Sequence, residues 1–382
     1  MTPLKQAIRK LHLWLGLASG LVVFIVSITG AIFVFQEEIR EATEPWLKVP
    51  VAATPALPPS HLQATMLRNH PGLTSPWLMY MGPDRSAIVY GTDKAGGSYA
   101  AFVDPYTGQE LHYKNLKRDF FTIVQEIHMY LLLPVAVGEW VVGIGVLIFV
   151  VMLITGMVLW WPKRKKDRHR SFTIKWNSRW RRVNYDLHNV LGFYTASIAL
   201  VIALTGLVMS FEWVRDSVYL AANTGSNFPK EKTPPKVTAQ PSTAPDQPLI
   251  DQFYAQIRRD SPTAQMLYVA APVAPDQPAY SIAYRTSLLY SHRDEYYFHP
   301  TTGQLLKAIP DAGKSRGQKL IDANYDIHTG QILGLGGKII AFLVSLIAAS
   351  LPVTGTLVWW GKRNKPKKAK QQVQPRRTPV NS

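Results

Sequence analysis

Four stretches of this chain contain no Asp, Glu, Lys or Arg: residues 11–35, 140–161, 188–211 and 339–361. Each runs 22 to 25 residues, and about 20 apolar residues in helix cross a bilayer's hydrocarbon core. In lipid a backbone must satisfy its own hydrogen bonds, so such stretches are helices or they are not in the membrane. The 47% hydrophobic content is ordinary for a globular chain; its segregation into these four runs is not. The expected fold is an α-helical membrane protein with four transmembrane helices.

The net charge of +17 raises nucleic acid as a partner, and its placement argues against it. Segments 1–10, 162–187 and 361–382 hold 21 of the 42 Lys and Arg and only two acids, Asp167 and Asp186. The rest of the chain nets −2. Positive charge confined to short segments beside apolar spans is the positive-inside pattern. Both termini and the basic loop 162–187 are therefore expected on the cytoplasmic side, with 36–118 and 212–320 outside. Trp160-Trp161 and Trp359-Trp360 suit the membrane interface where two spans end. The first apolar run is longer than a signal peptide's core and lacks a small-residue cleavage site, so it is expected to stay as an anchor.

The two halves of the chain echo one another. LHLWLG at 11–16 answers LHNVLG at 187–192, and Thr29-Gly30 and Thr205-Gly206 each begin 17 residues after their histidine. EIH at 126–128 answers DIH at 326–328; TGMVLWWPKR at 155–164 answers TGTLVWWGKR at 354–363 with one residue of slippage. DPYTGQEL (104–111) answers HPTTGQLL (299–306), with His299 where Asp104 stands. A tandem duplication of span, outer domain and span accounts for these matches, with both copies in one orientation. The outer parts, 36–118 and 212–320, read as two small α+β domains. Helices are expected near 59–70 and 247–260, strands within 86–103 and 278–298, and an extended Pro-rich linker at 229–248.

Four of ten histidines fall at matching places: His12 with His188 at the cytoplasmic starts of outward spans, His128 with His328 just before the returning ones. Two imidazoles from facing helices can coordinate haem iron axially. With no cysteine in the chain, c-type attachment, iron–sulfur clusters and disulfides are excluded, and any haem is non-covalent and b-type. At 1.5 Å rise per residue, Gly30 and Gly206 fall near the level of His128 and His328, and Gly156 and Gly355 near that of His12 and His188. Such glycines give room to a flat macrocycle or simply permit close helix packing; both readings stay open. Arg9 and Arg182 inside, with Lys10 and Arg181, stand where haem propionates could be met, as do Lys117, Arg118 and Lys319 outside. A continuous helix from His128 to Trp161 would be about 50 Å long, too long for a bilayer. Segments 119–161 and 321–360 are each expected to be an interfacial helix carrying the histidine, a break, and then a span; 361–382 is a basic cytoplasmic tail.

RKLHLWLG, EIHMYLL, NYDLHNVLGFY, NYDIHTGQILGLGGK, the repeated Thr-Gly and the paired tryptophans resemble the PepSY-associated transmembrane proteins, described as iron-regulated membrane proteins, over nearly the whole chain. The resemblance implies PepSY-like periplasmic domains in a bacterial cell inner-membrane protein. It also implies two b-type haems on His12, His188, His128 and His328, and reduction of ferric siderophores, hydroxamates among them. The absence of GxGxxG and of a flavin-binding region argues against direct NAD(P)H binding and leaves a quinol and a cytoplasmic reductase as the open candidates for electron donor, which the sequence does not name. Two rivals belong to other classes: a PepSY module that binds or restrains a protein, and a metal transporter relaying ions over the intramembrane histidines. The spans' lack of Asp and Glu argues against proton-coupled transport. Outer aromatics Trp46, Trp77, Tyr296 and Tyr297 are candidates for either a substrate site or strand packing.

Overall fold

The computed structural model describes residues 2–162, 164–165, 168–224, 234–237 and 247–363. The Pro-rich linker 229–248 and the basic tail 361–382 lie largely outside the described residues.

The first span is helix α1 (Pro3–Val34), which starts on a Thr2 N-cap with proline in its first turn. It leads through α2 (Gln36–Thr43) into α3 (Pro59–Asn69) and strands β1 (Thr74–Tyr80), β2 (Ala87–Thr92), β3 (Ser98–Val103) and β4 (Glu110–Asn115). Helix α4 (Phe120–Tyr130) follows, and α5 (Val135–Trp160) returns. Short helix α6 (Arg168–Phe172) connects to α7 (Trp180–Ser210), and the second half repeats the order: α8 (Glu212–Ala222), α9 (Leu249–Asp260), β5 (Met266–Ala270), β6 (Ala279–Tyr284), β7 (Arg293–Phe298), β8 (Leu305–Ile309), α10 (Arg316–Asp322), α11 (Asn324–His328) and α12 (Gly334–Arg363).

Four helices are long and apolar enough to cross a membrane: Pro3–Val34, Val135–Trp160, Trp180–Ser210 and Gln331–Gly361. They pack as a ring in which α1 touches α5 and α12, and α7 touches the same two, so α1 and α7 stand at opposite corners. Helices α1, α7 and α12 overrun the charge-free stretches with ends that carry basic residues, and α5 overruns its stretch with a first turn ending in Glu139. Outward faces display Trp14, Leu21, Ile144, Ile154, Val201 and Leu343, as lipid contact requires. The expected break before the second span falls at Leu131–Pro134: Leu131 and Leu132 adopt φ of 55° and 57°, and Pro134 precedes α5.

Beyond the α2–α4 end of the bundle lies one eight-stranded antiparallel sheet, ordered β4-β3-β2-β1-β5-β6-β7-β8. The two outer segments are thus not separate modules. Their edge strands β1 and β5 pair from Trp77↔Ala270 to Tyr80↔Leu267, which removes two edges that would otherwise be open. Strand alternation sends Leu78, Val89, Leu267 and Phe298 to the face covered by Leu62 and Met66 of α3 and Phe253 and Ile257 of α9, a single shared core. Met79, Ile88, Tyr90 and Phe102 point the other way, toward the bundle. The His299 departure is local. Asp104 Oδ1 accepts the Tyr106 and Thr107 amides at 2.8 and 3.3 Å, and His299 Nδ1 accepts those of Thr301 and Thr302 at 3.3 Å. Both turns close on a left-handed glycine, Gly108 or Gly303.

Candidate functional site

Each of the four repeated histidines seats its ring on the Thr-Gly pair of a neighbouring helix. His12 of α1 meets Thr155 of α5 (Nδ1–Oγ1 2.9 Å), and His188 of α7 meets Thr354 of α12 (3.0 Å). At the sheet end, His128 of α4 meets Thr29 of α1 (3.2 Å), and His328 of α11 meets Thr205 of α7 (3.0 Å). The glycine beside each threonine makes room for the same ring. A Cβ on Gly156, Gly355, Gly30 or Gly206 would come within 3.3, 3.1, 3.0 or 3.3 Å of the imidazole Cε1. The clearance expected at these glycines is filled by the imidazole edge in every case.

The hydrogen bonds decide the tautomer. Every one of these threonine hydroxyls donates to a carbonyl of its own helix one turn back: Thr29 to Ile25 (2.8 Å), Thr155 to Val151 (2.8 Å), Thr205 to Val201 (2.9 Å) and Thr354 to Ser350 (2.9 Å). The hydroxyl proton being used, Oγ1 can only accept, so Nδ1 carries the hydrogen. At the sheet end a backbone carbonyl adds to this: Val26 for His128 (2.9 Å) and Ile202 for His328 (3.0 Å). In His12, His128 and His328 this leaves Nε2 with its lone pair. A metal-binding histidine is held in this way, Nδ1–H to a fixed acceptor and Nε2 to the metal. Burial pushes His128 and His328 below the usual histidine range; for His328, burial and the neighbouring His128 push it down to about 4. Both rings stay neutral, the form a metal binds.

His128 and His328 face each other with ring centroids 6.2 Å apart and planes at 65°. With a metal–nitrogen bond of about 2 Å and a ring centre roughly 1 Å behind each nitrogen, two imidazoles on one ion place their centroids about 6 Å apart. Among the described residues no group of three or more His, Cys, Asp or Glu side chains could hold a metal. Two imidazoles alone are few ligands for a free ion but suit a metal that brings its own equatorial nitrogens, as haem iron does. His12 and His188 stand on the opposite-corner helices at the other end of the bundle.

Buried polar residues fix the elements that carry the ligands. Asn184 and Asn324, each four residues before a histidine, donate to the carbonyls of Thr354 (3.1 Å) and Thr205 (3.0 Å), locking α7 to α12 and α11 to α7. The repeated Asn-Tyr-Asp-x-His motif was the sequence signal for them, although neither asparagine stood out by its chemistry. Asp119 caps α4 through the Thr122 amide (3.0 Å) and binds Lys114 (3.0 Å) and Arg40, which also reaches Glu44 (2.9 Å). Arg182 is held by Asp186 at 2.7 Å, and Arg9 is exposed in the first turns of α1.

A cavity of about 590 Å³ separates the sheet from the ligand-bearing helices. Its floor includes Thr122 and Gln125 of α4 and Asn324 and Tyr325 of α11, within two turns of His128 and His328. The aromatics singled out from sequence are elsewhere: Trp77 stacks on Tyr90 (3.6 Å), Trp46 on His112 (3.8 Å), and Tyr296 is in the sheet core. Tyr90, Tyr290 and Tyr325 line the cavity instead.

Thr205→Val removes one of the two acceptors of His328 Nδ1, leaving the Ile202 carbonyl, without changing side-chain volume much. Loss of such an outer hydrogen bond costs about 10- to 100-fold in metal affinity. Haem titration of the Thr205→Val protein should show that weakening at one site, with a shifted visible spectrum; unaltered affinity and spectrum would deny the threonine its role.

No curated protein matches this chain. Residues 9–362, nearly the whole length and all four histidine–threonine contacts, match the family model described as PepSY-associated TM region. This membrane protein belongs to the PepSY-associated TM region family.

Proposed function

We propose that this protein is a b-type di-haem oxidoreductase of the bacterial inner membrane, which moves electrons across the bilayer to reduce ferric siderophores in the periplasm. The observation that carries this reading is the setting of the four histidines: each commits Nδ1 to a threonine of a neighbouring helix, two at each end of the bundle. His12 and His188 hold one haem, His128 and His328 the other. Haem iron supplies one-electron transfer when bound, and the protein sets the spacing, potential and docking. The chain is a tandem duplication, and its basic helix ends face the cytoplasm.

The cavity against α4 and α11 receives the ferric siderophore. Reduction lowers the charge on iron, so hard oxygen ligands hold it less tightly and Fe(II) is released. Electrons enter on the cytoplasmic side from a quinol or a reductase. The purified full-length protein should show a Soret band and two b-type haems per chain. A reporter fused at Gly96 should score as periplasmic. A colourless protein, or a cytoplasmic Gly96, would overturn the reading.

A further inference from the structure

The charged side chains lining the sheet-side cavity are balanced, with one exception. Arg40 and Lys114 are paired with Glu44 and Asp119, Arg85 with Glu41, and Arg293 and Asp322 with each other at 2.9 Å. Glu37, in the first turn of α2, lines the same cavity and makes no hydrogen bond or ion pair with any described residue.

Glu37 also lines a second pocket, of about 10 Å³, together with Tyr290, Tyr325, Thr329, Gln331 and Lys338. That is room for about one water, with the polar partners a buried water needs. Lys338, itself buried, bonds Glu38 at 2.7 Å, and Glu38 is exposed to solvent. The Glu37 carboxyl therefore stands between the large cavity and a one-water pocket whose far wall reaches a solvent-facing carboxylate.

We infer that Glu37 is the proton donor of this cavity, delivering a proton to the hydroxamate oxygen that iron releases. The inference rests on the proposed reduction of a ferric hydroxamate. The ferric centre gains one electron and a ferrous haem, the reductant, loses one. The Fe(II)–O bond then breaks with its electron pair on oxygen, that oxygen takes the Glu37 proton, and the carboxylate is recharged through the one-water pocket. Groups facing Glu37 are Arg40 and Glu41 on its own helix, Arg85 beyond β1, Tyr90 on β2, Tyr290 before β7, Tyr325 on α11 and Lys338 on α12. Burial raises the Glu37 carboxyl, and Glu41 adds to this, against the pull of Arg85, Arg40 and Lys338. The protonated form is thereby extended upward in pH, as a general acid requires.

The test uses the haem-loaded full-length protein, reduced and freed of reductant, mixed with ferric acetohydroxamate in the presence of a ferrous chelator. Haem reoxidation in the wild type reports the underlying reading; its absence would remove that reading and this inference with it. Given reoxidation, Glu37→Gln should release Fe(II) at least about tenfold more slowly at neutral pH. The wild-type release rate should fall as pH rises through the Glu37 pKa; in Glu37→Gln that dependence should vanish, and Glu37→Asp should restore it in part. Infrared spectra without substrate should carry a protonated-carboxyl band that Glu37→Gln lacks. Release by Glu37→Gln at the wild-type rate and with the wild-type pH profile would overturn the inference and leave the proposed reductase activity standing.

Discussion

Replacing His128 or His328 by alanine is expected to remove one of two haems and to abolish ferric hydroxamate reduction. Each ring supplies one of a facing pair 6.2 Å apart, so loss of either leaves the other alone. Haem quantification should fall by about half, and stopped-flow mixing with ferric acetohydroxamate should show no fast reoxidation. The contrast is His12→Ala, which should lose the other haem and block reduction from the cytoplasmic side. Its remaining haem should still accept an electron from dithionite and pass it to the ferric substrate, because the cavity lies at the sheet end, against the helices that carry His128 and His328. If His128→Ala reoxidises as fast as wild type, the substrate takes its electron elsewhere. If His12→Ala and His128→Ala lose the same haem, the ligands pair within each half and not between halves.

The second large effect concerns stability. Lys314 is fully buried and bonds Glu295 (2.9 Å), Asp322 (2.7 Å) and the Arg293 carbonyl (2.8 Å). Lys314→Met would leave two buried carboxylates with Arg293 as their remaining cation, beside neutral donors from Tyr280 and Gln318, and breaking such a pair costs about 3–5 kcal/mol. Asp322 ends α10, directly before the helix that carries His328, so the same variant should loosen the sheet-side ligand pair. Thermal unfolding at neutral pH should show a clearly lowered Tm and weaker haem retention; an unchanged Tm would mean the cluster contributes nothing net. The pH dependence has a definite sign. Burial alone would raise the Glu295 carboxyl, but Lys314 and Arg293 hold it down to about 2. Its contribution is complete above the ordinary carboxylate pKa of 4.5 and is lost as pH falls from there toward about 2. Wild type should lose stability across that window more steeply than Lys314→Met.

What the amino-acid sequence determined by itself was everything set by local composition and period. Charge-free runs long enough for lipid made four helices, and Pro134 and Gly334 put breaks between the short histidine-bearing helices and their spans. Helices α3 and α9 and strands β2, β3, β6 and β7 fell where alternation and turn residues placed them. The four histidines and four Thr-Gly pairs were visible as a repeated pattern. What they do to one another was not, since each contact joins residues 99 to 166 positions apart.

Only the tertiary structure decided that the threonine accepts from Nδ1 while its glycine clears the ring, because that requires two helices to meet at one level. The joining of β1 to β5 was equally hidden: strand pairing depends on edges brought together from distant parts of the chain, and neither strand announces its partner. The cavity and the unpaired Glu37 follow from that junction. Once the two half-sheets form one roof over α4 and α11, a cavity lies beneath it in which every lining cation finds a carboxylate and Glu37 is the carboxylate left over.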